Sequence, residues 1–121
     1  MPRDRFIPKV SQGRTRILGF RIDGSAVAES AGTGGILEGA YDATIAKNAG
    51  DNNEFTITFK HPFSRAPVVV ATPAVADCEL QIKSVTKTAV VIESFESDGV
   101  TVEADADFHV IIMGFDAAAQ D

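Results

Sequence analysis

Residues 54–72 read EFTITFKHPFSRAPVVVAT, and this stretch decides the fold. Phe55, Ile57 and Phe59 alternate with Thr56, Thr58 and Lys60, the period-two pattern of a strand with one buried face. His61-Pro62 stops that strand, because proline brings no N–H to a ladder. Phe63 follows the break, and Pro67 opens a second β-branched run from Val68 to Thr72, closed by Pro73. Two strands joined by a corner with an aromatic anchor form the middle of an all-β core. None of these residues forms a catalytic set.

Outward from this centre the same punctuation recurs. Residues 48–53 (NAGDNN) are a cluster of turn formers, so the segments on either side should pair as an antiparallel hairpin. Upstream, the alternation of Tyr41, Ala43 and Ile45 predicts a strand over 39–47. A short helix is the competing reading. Downstream, Cys78, Leu80 and Ile82 alternate with polar residues, and residues 89–95 (AVVIESF) predict a strand with Val90 and Ile92 inward. Ser97-Asp98-Gly99 is a hairpin turn signal, with Val100 and Val102 continuing from it. The last strand, 108–115, places Phe108, Val110, Ile112 and Gly114 on one face and His109, Ile111 and Met113 on the other. Both faces are mostly apolar, so this strand is central, or its second face is covered, for instance by another subunit. With a short strand at 17–22, the pattern is an antiparallel β-sandwich of seven to eight strands preceded by an extended N-terminal arm.

Composition sets the bounds. With 121 residues and 45% apolar content the chain is long and apolar enough for one packed domain. No apolar run reaches the roughly 18 residues of a membrane span, and residues 1–10 lack the apolar centre of a signal peptide. The reading is synthesis in a cytoplasm, with no membrane partner. A single cysteine, Cys78, permits no internal disulfide and reads as a small apolar filler.

Charge is unevenly distributed. Residues 1–21 carry Arg3, Arg5, Lys9, Arg14, Arg16 and Arg21 against Asp4, a net of +5. Residues 22–121 carry five basic groups against sixteen acidic ones, a net of −11. A basic arm ahead of an acidic body suggests two tasks. The acidic body would repel nucleic acid and the arm has no run of adjacent basic residues, so an acidic protein surface is the favoured partner. Pro2, Pro8 and Gly13 keep the arm from being helical, and Phe6, Ile7 and Val10 are apolar groups in a segment too short to bury them itself. They pack on their own domain or on a neighbouring chain. The glycine-rich run 26–35 reads as a linker, dividing the chain into residues 1–35, the arm with one short strand, and residues 36–121, the sandwich.

Chemistry is sparse. Two histidines, His61 and His109, and one cysteine are too few for a zinc site without carboxylates. His61 reads as a solvated strand end and His109 as a strand residue. No metalloprotease, nucleophile-elbow or P-loop motif is present, and Gly32-Thr33-Gly34-Gly35 has no lysine after it to make a phosphate cradle. Glu103, Asp105 and Asp107 would share one side of an extended segment, a set of oxygen ligands able to hold Ca²⁺. The plainer reading is a solvated acidic loop. The expectation is a non-enzyme with no cofactor and no metal.

The residues from 54 to 115 carry a resemblance. Phe-Thr-Ile-Thr-Phe at 55–59, Phe63, Ala-Pro-Val-Val-Val-Ala-Thr at 66–72, Val-Thr-Lys-Thr at 85–88 and Asp-Phe-His-Val-Ile-Ile-Met-Gly at 107–114 are similar to a β-sandwich module of bacteriophage virion proteins. The order of elements also resembles H-type lectins, trimer-building sandwiches that bind galactose-type sugars. The sugar-contacting residues of those lectins have no match here, so no lectin site is carried over. The resemblance implies a homotrimer in a virion, a capsid decoration (cement) protein seated on the major capsid protein. A carbohydrate-binding module of a tail fibre or spike is the alternative. In that setting the arm residues Arg3, Arg5, Phe6, Ile7, Lys9, Arg14 and Arg16 are the expected contacts to the capsid.

Overall fold

A computed structural model describes residues 14–116 of the chain. They form eight strands: β1 (Thr15–Ile22), β2 (Ile36–Glu38), β3 (Ala43–Lys47), β4 (Glu54–Phe59), β5 (Val68–Pro73), β6 (Cys78–Val85), β7 (Ala89–Glu96) and β8 (Phe108–Phe115). Two four-stranded antiparallel sheets result, ordered β2-β1-β8-β5 and β3-β4-β7-β6. The expected sandwich is therefore observed.

The alternation read in the sequence is the inward and outward alternation of the strands. Leu18, Phe20 and Ile22 of β1 and Phe108, Val110 and Ile112 of β8 face Phe55, Ile57 and Phe59 of β4 and Val90 and Ile92 of β7, all of them buried. The Phe55 and Phe108 rings meet across the two sheets at 5.2 Å and 55°, within the range of favourable aromatic pairs. β3 and β4 form the expected hairpin around residues 48–53, with Ile45 opposite Ile57.

The corner between β4 and β5 carries the chain from one sheet to the other, and Phe63 is its anchor. The ring is buried and stands edge-on to Phe59, with centroids 5.1 Å apart at 88°. Its N–H donates to the Lys87 carbonyl at 2.9 Å. The absence of a side chain on Gly114 makes room for it, since a Cβ there would lie 2.8 Å from Phe63 Cδ1.

Two expectations change. The segment 39–47 is not one strand. β2 ends at Glu38, residues 40–42 turn, and β3 starts at Ala43. The cause is Gly39, which has φ +99° and lies so close to Phe20 and the Gly19 carbonyl that a Cβ would sit 2.5 Å from Phe20 Cδ1. Left-handed backbone and close approach both demand glycine, and they break the strand there. The division at residue 35 also does not separate packing units. β1 lies in the middle of its sheet, between β2 and β8. The glycine-rich segment is tied to the body by Gly32 N–H to Ile45 O (3.1 Å), Ile45 N–H to Gly32 O (2.7 Å) and Asp23 N–H to Gly35 O (2.7 Å).

After β7 the chain turns at residues 97–100, and Val102 returns only as an isolated bridge to Phe95. Asp98 holds this turn. Its Oδ1 accepts from the N–H groups of Val100 and Thr101, both at 2.8 Å, and its Oδ2 accepts from the Thr101 hydroxyl at 2.6 Å.

Candidate partner-binding surface

Of the residues expected to meet a partner, Arg3, Arg5, Phe6, Ile7 and Lys9 lie outside the described residues. Arg14 is exposed at the start of β1. Arg16 is engaged within its own chain. Its guanidinium carbon sits 4.1 Å from the centroid of the Phe63 ring. Its terminal NH2 nitrogen donates to the carbonyls of His61 (2.7 Å) and Pro62 (3.3 Å). Its Nε lies 2.6 Å from Asp116 Oδ1, but the N–H is not aimed for a hydrogen bond. That contact is an ion pair, and the carbonyl bonds fix the geometry. Arg16 thus clamps the β4–β5 corner from above, with Phe63 filling it from below.

The acidic segment does not gather its carboxylates. Asp105 has φ +57°, so residues 103–107 turn instead of running extended. Asp105 pairs with Lys47. Asp107 Oδ1 accepts from the Gly24 N–H at 3.2 Å. Glu103 is tied through its backbone, its carbonyl accepting from the Ser94 hydroxyl at 2.6 Å. Among the described residues, no group of three His, Cys, Asp or Glu side chains is placed to hold a metal ion. Asp23, beside this loop, has its carboxyl held below the ordinary value, chiefly by the hydrogen bond from the Ser25 side chain.

A polar pair of groups lies beneath this loop. Asn53 and Ser94 are buried. Asn53 Nδ2 donates to the Ser94 carbonyl at 3.0 Å, and Ser94 N–H returns a bond to the Asn53 carbonyl at 2.9 Å. Read from sequence, Asn53 was one more turn residue. Its burial follows from β7 lying beside β4, which no local signal reports.

Cys78 is half-buried at the start of β6, and burial, followed by the charge of Glu103, raises its thiol above the ordinary value. A raised thiol is a poor nucleophile at neutral pH. His61 and His109 are both exposed. A shallow depression of about 220 Å³ lies beside the exposed Tyr41, lined also by Thr33, Ala40, Thr44, Thr58 and Lys60. No helix among the described residues is long and apolar enough to cross a membrane.

The two sheets differ on their outer faces. On β4, β6 and β7 the outward residues include Glu54, Thr56, Thr58, Gln81, Lys83 and Glu93, and Lys83 sits between Glu54 (3.2 Å) and Glu93 (3.8 Å). That sheet is dressed for water, and the hydrogen bond to Glu54 holds the Lys83 ammonium above its ordinary value. On the other sheet the large outward residues of β1, β5 and β8 are Ile17, Val68, Val70, Ile111, Met113 and Phe115, with Thr15, Arg21, Thr72, His109 and, on β2, Glu38 sharing the face. Strand pairing brings them together: Ile17 and Val68 flank Met113, and Val70 lies beside Ile111. The sequence signal for this face was the last strand, apolar on both sides. Ile17, Val68 and Val70 join it only through the strand order β1-β8-β5. Compared with protein-family models, curated proteins and solved structures, the chain matches none.

Proposed function

We propose that this chain is a non-enzymatic structural protein of a bacteriophage particle, a decoration protein that binds the assembled head as a homotrimer and stabilises it. The single observation that supports this reading most is the apolar outer face of β1, β8 and β5, a surface suited to packing against protein, on a sandwich built from the segments that carry the resemblance. Each trimer bridges neighbouring capsid subunits, and the contact area opposes the outward pressure of the packaged genome. Arg3, Arg5, Lys9 and Arg14 pair with carboxylates of the shell, and Phe6 and Ile7 fill apolar hollows. Arg16 is not counted among these contacts, because its guanidinium is taken up by Phe63, His61 and Pro62.

The test is co-sedimentation of the purified full chain with heads from which it is missing, at rising salt. Saturable binding that weakens with salt, and that is lost when Arg3, Arg5 and Lys9 are all replaced by glutamate, is the expected result. Absence of binding to heads at any salt refutes the reading. The second reading is a carbohydrate-binding module for host attachment. It is favoured by the exposed Tyr41 at the edge of a depression with three threonine hydroxyls and Lys60, an aromatic plate beside hydrogen-bonding groups. A glycan array tests it, and binding abolished by Tyr41→Ala would support it, whereas a blank array counts against it.

A further inference from the structure

We infer that the outer face of β1, β8 and β5 is the surface by which copies of this chain pack on one another, with a second copy of the same face, or of its flank, as the occupant. The inference rests on the reading of the chain as a homo-oligomer, and not on shell binding.

Size comes first. Ile17, Val68, Val70, Ile111, Met113 and Phe115 each keep between 41% and 65% of their surface in solvent. At about 200 Å² for a fully exposed large side chain, the six present roughly 600 Å² of apolar surface. That is the upper end of what a monomer exposes in one patch, roughly 300–600 Å². With the flanking Thr15, Gly19, Arg21, Thr72 and His109 the face approaches the ~800 Å² per partner of a standard stable interface.

Charge comes second. The chain carries a net −6, yet none of the outward residues of β1, β8 and β5 is acidic; Arg21 is the sole formally charged group among them, and its cross-strand partner Glu38 on β2 lies at the rim of the face. Two such faces meet without burying carboxylates against each other, despite the acidic body behind them. An interface this apolar and this poor in charge has the composition of a permanent contact between identical chains, not of a transient one with a polar partner.

The edge next to this face argues that the contact is made through side chains. Ala74 donates its N–H to the Asp107 carbonyl at 2.9 Å, which fixes the alternation along β5. Val68, Val70 and Thr72 turn their backbone groups toward β8, while positions 67, 69, 71 and 73 turn theirs to the open edge. Positions 67 and 73 are prolines. Only Val69 and Ala71 offer free N–H groups there, too few for a strand of another chain to add on. Copies therefore meet through the side chains of this face, not by strand addition at its edge. In a trimer the three faces turn toward the symmetry axis.

The experiment is the mass of the full chain in solution by light scattering, for the native sequence, for Ile111→Glu and Val70→Glu on this face, and for Thr56→Glu on the polar sheet. The native chain and Thr56→Glu are expected to be oligomeric. Ile111→Glu and Val70→Glu are expected to be monomers with the native circular dichroism spectrum. A native chain that is monomeric up to about 100 μM, well above the dissociation constant of a stable interface, overturns both the inference and the homo-oligomer reading. Oligomers that persist in both face variants overturn the inference alone. Should both variants fail to fold, the unmodified chain decides through solvent paramagnetic broadening of the Ile111 and Met113 methyl signals. Protection supports the contact, and full broadening overturns it.

Discussion

Truncating Phe63 to alanine removes the ring on which the β4–β5 crossover closes. The side chain is 1% exposed, meets Phe59 edge-on at 5.1 Å and carries Arg16 on its face at 4.1 Å. A buried Phe→Ala change costs about 3–5 kcal/mol, the transfer term and the cavity together. The site has little room to collapse, since Gly114 backbone forms one wall and two sheets form the others. The upper half of that range is therefore expected. For 121 residues, an unfolding entropy near 2.1 cal/mol/K per residue is about 0.25 kcal/mol/K, so the melting temperature should fall by roughly 16–20 °C. Tyr41→Ala is the matched control, because Tyr41 is 89% exposed and its loss should cost under about 0.5 kcal/mol. The chain has no tryptophan, so urea unfolding is followed by far-UV circular dichroism, at one fixed protein concentration because assembly contributes to apparent stability. A loss below about 1 kcal/mol for Phe63→Ala, or one equal to that of Tyr41→Ala, refutes the role given to this corner.

Three further outcomes are expected. Arg16→Ala should cost about 2 kcal/mol, from the carbonyl hydrogen bonds and the cation–π contact, and Arg16→Lys should recover less than half of it, since an ammonium cannot stack and fork at once; full recovery in the urea midpoint contradicts the clamp. Asn53→Ala should cost about 1–2 kcal/mol, and Asn53→Asp more, because a carboxylate would be set against the Ser94 carbonyl in a buried site; an aspartate as well tolerated as alanine in thermal melts would refute the pairing. Asp98 has its carboxyl held below the ordinary value by the Thr101 hydroxyl and by the N–H groups of Val100 and Thr101. A depressed folded value contributes stability that is present above the unfolded value, ~3.9, and is lost as pH falls through the folded one. The carboxyl carbon of Asp98, followed by NMR, should therefore titrate below that of a free aspartate, and a midpoint at or above it contradicts the turn geometry.

The sequence carried the fold wherever burial imposed a period. Phe55, Ile57 and Phe59, then Val90 and Ile92, then Phe108, Val110 and Ile112 are inward in the structure as their spacing predicts. It failed where a distant residue set the local backbone. Gly39 breaks the strand expected over 39–47 because Phe20, on another strand, occupies the space a side chain would need. The spacing of Glu103, Asp105 and Asp107 suggested a shared face only on the assumption of an extended chain, which the positive φ of Asp105 removes.

The surface residues follow the same division. Ile111 and Met113 were marked by the two-faced apolarity of the last strand. Ile17, Val68 and Val70 were not, because their meeting with that strand is a matter of sheet order. Arg16 read as one more basic group of the arm, since nothing in its neighbourhood names Phe63 or the His61 carbonyl, 45 residues away, as its partners.

A decoration protein, as proposed above, would be a repeated component of a phage shell. The most direct measurement is the number of copies of this chain per purified virion, by quantitative mass spectrometry against the major capsid protein. Hundreds of copies per particle, in a fixed ratio to capsid subunits, are expected. A few copies to a few dozen would contradict the decoration role and place the chain in the tail, and absence from the particle would contradict the structural reading altogether.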